Sequence, residues 1–458
     1  MKKIFKLLML LIVLVLSIYL TGCSNDDKLL ELEFAITDLQ TTIEDLSTDR
    51  EELLKEIEKM QEELEKSESS NKSIIYGLRS NLEEAKKKLA ELEAKMESIS
   101  AGIVVSLADE YTLIVGDNFQ LFYRSVVQAP DPYGYYIKLE GKVGHAYNRY
   151  YEFKPEEKHI GTHTLKLSVC DANGVEYGSD TTTLNVVKSK VDASENVTKN
   201  ILCIGDSLTA NGVWVAQGIK RYKEAGYTNV KTLGSMTKIL NGVTVNYEGN
   251  SGWQWSSYIT GAKDLATDKP KDTPFKSSAG TGKISFKEYA TKYGVDQIDE
   301  LYILLTWNGI GGKFREFSFD DSLFSSAKIL VDQFHKDFPN GKITLIGIPK
   351  PSTNAGLGAY YEIGIANGDN YAQSVTVMNY NKFMEDWTKM EEYSSFLYYI
   401  DGMGQFDSEY NMPSESKPVN NQSTVTEPVG NAMGIHPNTN GYMQIGDIFF
   451  RALMTEKE

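Results

Sequence analysis

Read from its N-terminus, the chain changes hydrophobic period several times. Leu7 to Leu20 form an apolar run behind Lys2, Lys3 and Lys6. At that length it is short for a bilayer span and right for the apolar region of a secretory signal. From Leu29 to Ile99 apolar residues recur at alternating steps of three and four. Ile36, Leu39, Ile43, Leu46, Leu53, Ile57, Met60 and Leu64 follow this rule, with Arg50 on the seam. The pattern predicts a coiled-coil helix. Ser67 to Ser73 and Gly77 interrupt it, and Leu78, Leu82, Ala85, Leu89, Leu92, Met96 and Ile99 resume in shifted phase. A stutter in one rod of ~100 Å and the turn of an antiparallel hairpin both produce such a break.

After Gly102 the period drops to two. Strands are expected over 103–107, 111–115, 119–123, 135–139, 164–169 and 181–187, separated by turns such as Asp117-Asn118 and Asp171-Ala172-Asn173-Gly174. Short strands at this spacing predict an all-β sandwich. The tyrosines from Tyr147 to Tyr151 are read as strand packing first and as glycan contacts second. Lys188 to Lys199 is polar and reads as a linker. Beyond it, strand-like runs at 201–204, 230–233, 301–305, 343–348 and 396–400 alternate with helical stretches near 212–226, 321–338, 372–392 and 439–453. That alternation predicts a parallel sheet covered by helices on both faces, with long polar loops over 270–281 and 405–428.

Composition narrows the function. At roughly 150 residues per domain, 458 residues predict about three units. The formal charge is −16, and Asp26 to Ile99 contribute −10 of it, 11 Lys+Arg against 21 Asp+Glu. No basic stripe remains to track phosphates, so nucleic acid is excluded as a partner. No His/Cys cluster has metal-ligand spacing, and no Gly-rich loop ends in Lys-Ser/Thr, so neither a catalytic metal nor a nucleotide cofactor is expected. Of three cysteines, Cys23 follows Leu20-Thr21-Gly22, while Cys170 and Cys203 fall in different predicted modules and are read as buried thiols.

The Leu20-Thr21-Gly22-Cys23 end of the apolar run resembles a bacterial lipobox, which implies cleavage before Cys23 and lipidation of its thiol and amine. The β module resembles the immunoglobulin-like modules of bacterial surface proteins, in pattern more than in motif. The implied order is a signal peptide at 1–22, tether and coiled-coil stalk at 23–99, an immunoglobulin-like β-sandwich at 100–190 and an α/β domain at 191–458. Such a chain would sit lipid-anchored on the extracellular face of a bacterial membrane, with the stalk expected to support a homo-oligomer.

Chemistry begins where the α/β pattern does. The run Asn200 to Ile204 leads into Gly205-Asp206-Ser207-Leu208-Thr209 and a helix. A strand, a tight turn and a helix set a serine at the carboxyl end of a sheet, where a nucleophile gains from the helix N-terminus. Three further blocks follow: Gly249-Asn250-Ser251-Gly252-Trp253, Leu301 to Gly309 with Asn308, and Gly434-Ile435-His436-Pro437. Together they resemble the GDSL, or SGNH, hydrolase family over about residue 200 to the C-terminus. The resemblance implies a three-layer, flavodoxin-like α/β fold, Ser207 as nucleophile and His436 as general base. It also implies an oxyanion hole from the amides of Ser207 and Gly252 and the side chain of Asn308. Acyl transfer needs such a set: a nucleophile, a base near neutral pH and donors where charge develops.

Two departures stand out. The family's aspartate three residues before the histidine is Met433 here, and Thr306 and Gly309 flank Asn308 where Gly and Asp are usual. Asp401, Asp407 or Glu427, or a backbone carbonyl, is the expected substitute for orienting His436. Trp253, Trp255 and Trp307 are candidate sugar contacts beside the nucleophile. The expected activity is hydrolysis of O-acyl, above all O-acetyl, esters of polysaccharide without a cofactor. A lipase or lysophospholipase of the same family is the alternative enzyme, and a non-catalytic glycan-binding adhesin or scaffold the alternative outside enzymes.

Overall fold

The computed structural model describes residues 51, 54–55, 58–59, 103–129, 134–188, 198–280, 282–305, 307–310, 315–353, 369–430 and 434–455. The chain divides into two compact units, Met1–Ser100 and Ala101–Glu458. In the first, the described residues Glu51, Leu54, Lys55, Glu58 and Lys59 are all helical. The signal run, Cys23, the heptad seam and most of the linker lie outside the described residues.

The second unit opens with the β module. Its strands β1 (Glu110–Ile114), β2 (Phe119–Phe122), β3 (Tyr136–Gly141), β4 (His145–Ala146), β5 (Tyr150–Phe153), β6 (Gly161–Cys170) and β7 (Glu176–Val187) form two sheets, ordered β1-β7-β6-β3 and β2-β5-β4. β1 runs parallel to β7 and the remaining pairs are antiparallel. Alternation sorts the side chains: Leu165, Leu167 and Val169 of β6 point inward to meet Phe119, Leu121, Tyr151 and Phe153 in one core. The expected strand at 103–107 is reduced to Val104–Val105. The segment around Tyr150 contributes a strand that its sequence also encoded, since Tyr151 and Phe153 are buried while Tyr150 and Glu152 are partly exposed.

The α/β part is a seven-stranded sheet. Its strands are β8 (Lys199–Gly205), β9 (Val230–Leu233), β10 (Met236–Leu240), β11 (Val243–Gly249), β12 (Glu300–Leu304), β13 (Lys342–Ile346) and β14 (Leu397–Ile400). The order is β10-β11-β8-β12-β13-β14, with β9 also paired to the first half of β8. Every pairing is parallel except the β10–β11 hairpin. The strand central to the sheet, β8, continues into a short helix α1 (Ser207–Ala210) and then α2 (Val213–Glu224); helices α3 (Ser322–Asp337), α4 (Asp369–Thr388) and α5 (Thr439–Met454) follow later. The strands stay parallel across β8 and β12, but the order in which they are added reverses there, β11 lying on one side of β8 and β12 to β14 on the other. That reversal makes the crevice beyond the carboxyl ends of β8 and β12 the place for a ligand.

The helices that follow the first and last sequence blocks, α2 and α5, lie directly against each other. A Cβ on Gly218 of α2 would come within 2.2 Å of Phe449 of α5, and one on Gly446 of α5 within 2.7 Å of the Trp214 carbonyl. Only glycine at both places permits that approach, and Trp214 fills the remainder edge-on against Phe449 at 5.1 Å. Cys170 and Cys203 are both buried, and neither forms a disulfide. The loop expected over 405–428 contains a hairpin of β15 (Ser414–Pro418) and β16 (Thr426–Gly430).

Candidate active site

Ser207 is the first residue of α1. Asp206 caps that helix, its Oδ1 accepting from the Leu208 amide at 2.9 Å. The same carboxylate reaches across the sheet: Oδ2 accepts from the backbone N–H of Trp307 at 3.0 Å and from Asn308 Nδ2 at 3.4 Å. Asn308 Nδ2 also donates to the Trp253 carbonyl at 3.0 Å. Tyr258 completes the turn from beneath. Its hydroxyl lies 2.8 Å from the carbonyls of both Gly205 and Glu248, and it accepts from the Gly205 amide at 3.2 Å. The first three sequence blocks are thus joined by hydrogen bonds before any substrate arrives.

His436 closes the constellation. Its Nε2 stands 2.9 Å from Ser207 Oγ although 229 residues separate them. The ring is partly buried, and burial lowers its pKa below the ordinary 6.5, which favours the neutral imidazole a general base requires. Its loop is pinned on both sides. The Ser352 amide donates to the Gly434 carbonyl at 2.6 Å and the Asn438 amide to the Asn411 carbonyl at 3.0 Å. Asn438 also caps α5, accepting from Gly441 N at 3.0 Å, and its Nδ2 donates to the carbonyls of Tyr410 and Met412 at 3.1 and 3.2 Å.

Gly252 sits at φ +81°, in the left-handed region, and a Cβ there would lie 2.4 Å from Leu265. Among the described residues no acceptor takes the backbone N–H of Ser207 or of Gly252. Both are partly exposed, which leaves these N–H groups open to an incoming acceptor. Asn308 spends its amide on Trp253 and, more weakly, on Asp206. It braces the other blocks as well as standing where the third donor was expected.

Three expectations need correction. Asp401 accepts from Tyr111 Oη and from the amides of Met403 and Gly404, each at 2.8 Å; burial raises its pKa. Asp407 takes both its oxygens to Arg149 at 2.9 Å. Glu427 is exposed on β16, opposite Lys417. None orients the histidine: His436 Nδ1 is buried and, among the described residues, has no hydrogen-bond partner. Met433 and its two predecessors lie outside the described residues. The tryptophans also differ from expectation. Trp253, Trp255 and Trp307 are 0, 2 and 5% exposed, because the aromatic faces complete the core under the catalytic rim. Trp253 packs edge-on to Tyr258 at 5.0 Å, and Trp255 Nε1 donates to Tyr380 Oη at 3.2 Å. They offer a sugar no platform here.

Sequence reading missed Asp206 as a brace, Tyr258 as the floor of the turn and Asn438 as the anchor of the histidine loop. Asp206 and Asn438 each precede a helix, the one signal that could have marked them. Among the described residues no group of three or more His, Cys, Asp or Glu side chains gathers as a metal site.

Comparison with protein-family models gives no match, nor does comparison with curated proteins. Solved structures give likenesses. An extracellular lipase from Streptomyces rimosus matches at 12% identity and a TM-score of 0.29, over 54% of this chain and 98% of that one. The phospholipase A1 of Streptomyces albidoflavus NA297 matches at 12% identity and 0.30, over 54% and 98%. The periplasmic domain of a Salmonella ser. Paratyphi A lipopolysaccharide acetyltransferase matches at 11% identity and 0.32, over 57% and 85%. At such scores the likenesses decide nothing about chemistry, which rests on the site's own geometry.

Proposed function

We propose that the chain is a serine esterase of the SGNH type that hydrolyses O-acyl esters, with O-acetyl groups on polysaccharide as its substrate class. The single observation that carries the reading is the 2.9 Å approach of His436 Nε2 to Ser207 Oγ at the reversal point of the sheet. Ser207 attacks the acyl carbon as its proton passes to Nε2. The amides of Ser207 and Gly252, joined by Asn308 once it turns from Asp206, stabilise the oxyanion. The imidazolium then protonates the leaving alcohol, and water attacks the acyl-enzyme by the same route. Removing one such donor typically costs about 2.7–4 kcal/mol of transition-state stabilisation.

Support for a carbohydrate comes from an open hollow lined by residues His145 to Tyr150. Tyr147 is 45% exposed there, its ring tilted against that of Tyr150 at 5.0 Å. Tyr410 is exposed to the same degree, beneath Arg149. Exposed aromatic faces set among amide and imidazole groups suit sugar rings. In the full proposal Cys23 carries lipid at the extracellular face of the membrane. The coiled coil lifts and pairs the heads, and an immunoglobulin-like module and an SGNH domain make up residues 100–190 and 191–458. Incubating the protein with acetylated xylan and with p-nitrophenyl acetate and p-nitrophenyl palmitate tests the activity. Acetate release that disappears in Ser207→Ala is expected. Absence of ester cleavage, or cleavage unchanged in that variant, rejects the enzyme, and preference for palmitate shifts the substrate to lipid.

A further inference from the structure

The segment that anchors the histidine loop is itself held by the β module. Following β14, residues 401–409 run along that module and are bonded to it repeatedly. Tyr111 Oη donates to Asp401 at 2.8 Å, the Phe122 amide donates to the Gly404 carbonyl at 2.9 Å, and Ser125 Oγ donates to the Phe406 carbonyl at 2.5 Å. The strongest hold is Arg149, one residue before β5. Its Nη2 donates to both oxygens of Asp407 at 2.9 Å and its Nε to Glu409 Oε2 at 2.9 Å. Its guanidinium carbon lies 4.1 Å above the Tyr410 ring centre.

These contacts lead directly to the base. Asp407 Oδ1 accepts from the amides of Glu409 and Tyr410 at 3.1 Å, and the Asp407 carbonyl from the Asn411 amide at 3.0 Å. The turn so formed presents the three carbonyls, of Tyr410, Asn411 and Met412, that hold Asn438. Asn438 is two residues past His436 and caps α5. Every link is a hydrogen bond, and the first is a charge-assisted fork with its carboxylates 10–11% exposed, the geometry for which guanidinium is suited and ammonium is not.

We infer that Arg149 is a positioning residue for the hydrolase: through Asp407, the 407–411 turn and Asn438, the β module sets where His436 Nε2 stands relative to Ser207. The β module is then part of the catalytic apparatus rather than a detachable accessory. The inference rests on the esterase reading. Misplacing a catalytic group by about 1 Å costs on the order of 100-fold, so freeing the turn should lower kcat while leaving KM near its wild-type value.

The test uses the full chain and p-nitrophenyl acetate, an ester too small to reach the β module. Arg149→Met should lose about 10- to 100-fold in kcat with KM within about twofold. Labelling of Ser207 by a fluorophosphonate should slow in parallel, and the far-UV circular dichroism should be retained. Arg149→Lys keeps the charge and loses the fork, and should fall between the two. It also serves as the folded variant if Arg149→Met fails to express. Wild-type kcat in a folded Arg149→Met or in Arg149→Lys overturns the inference and leaves the esterase reading standing. Equal loss of kcat in Arg149→Lys and Arg149→Met supports the fork rather than the charge as the positioning element. A wild-type protein that neither cleaves the ester nor reacts with the fluorophosphonate overturns the esterase reading itself, and this inference with it.

Discussion

The two halves of the proposed catalytic site are built by different means. On the nucleophile side, Ser207 leaves the central strand of a parallel sheet, and the turn is fixed by Asp206, Tyr258 and Asn308, all within the α/β part. On the base side, His436 stands on a loop that depends on Asn438 and on a segment tied to another module, while its Nδ1 lacks a described partner. Ser207 is positioned by the end of the central strand and by side chains of its own α/β part. His436 is positioned by a loop whose supports run through Asn438 to a segment held by another module. Perturbing the first should abolish chemistry outright, and perturbing the second should tune it.

The largest break in this comparison is Ser207→Ala, which should remove at least about 10⁴-fold of the ester hydrolysis rate without altering the denaturation midpoint; single-turnover kinetics would register it. Gly252→Ala comes next. The left-handed backbone costs a residue with a Cβ about 1–2 kcal/mol, and the collision with Leu265 moves the amide that faces the oxyanion. A fall of about 10²-fold in kcat, comparable with loss of one oxyanion donor, is expected together with a lower melting temperature. If activity held while stability fell, Gly252 would have no part in the oxyanion hole.

The base side should respond in the opposite direction. A neutral His436 that accepts from Ser207 must carry its proton on Nδ1, for which no described residue supplies an acceptor, and a buried N–H left so costs about 1–3 kcal/mol. Met433→Asp restores the carboxylate spacing of the SGNH pattern, so kcat should rise by about 10-fold, near the lower end of that penalty. The acid limb of kcat/KM provides a second readout. Burial lowers the His436 pKa, so the wild-type limb should fall below 6.5, and a nearby carboxylate should move it up. A pH–rate profile of both proteins checks the direction, and an unmoved limb would mean that the new aspartate does not reach the ring.

The last effect is on stability rather than on rate and concerns the contact between modules. Lys350 is fully buried and donates to the carbonyls of Arg124 and Val127 at 3.0 and 3.3 Å. Burial, with Arg124 nearby, lowers its pKa from 10.5 to about 7. The unfolded chain holds that proton up to 10.5, so between about 7 and 10.5 it binds more protons than the folded one and stability rises with pH. Lys350→Met should remove that slope, as read from urea midpoints at pH 7 and pH 9.5 in the two proteins.

Much of the α/β frame was readable because its signals are local. Apolar runs of four to six residues marked β8, β12, β13 and β14 to within two residues, and period 3.6 marked the helices between them. The edge strand β10 and the hairpin inside 405–428 were missed because exposed strands rich in polar residues carry little hydrophobic alternation; β11 was missed although Val243, Val245 and Tyr247 alternate with Thr244 and Asn246. The tryptophans were misplaced for a related reason: a large aromatic beside a glycine reads alike whether it faces solvent or core, and only the neighbours Tyr258 and Tyr380 decide between them.

The sequence alone determined which groups could act: a serine after a buried strand, an asparagine after another, and a histidine before the last helix are chemical identities that folding does not alter. The tertiary structure alone decided which of the remaining charges matter. Asp401 and Asp407, candidates to orient His436, instead face Tyr111 and Arg149, residues 290 and 258 positions away. Local period reports which face of a strand or helix turns inward. The partner of a buried charge is chosen by the packing of distant segments, and no period in the chain encodes it.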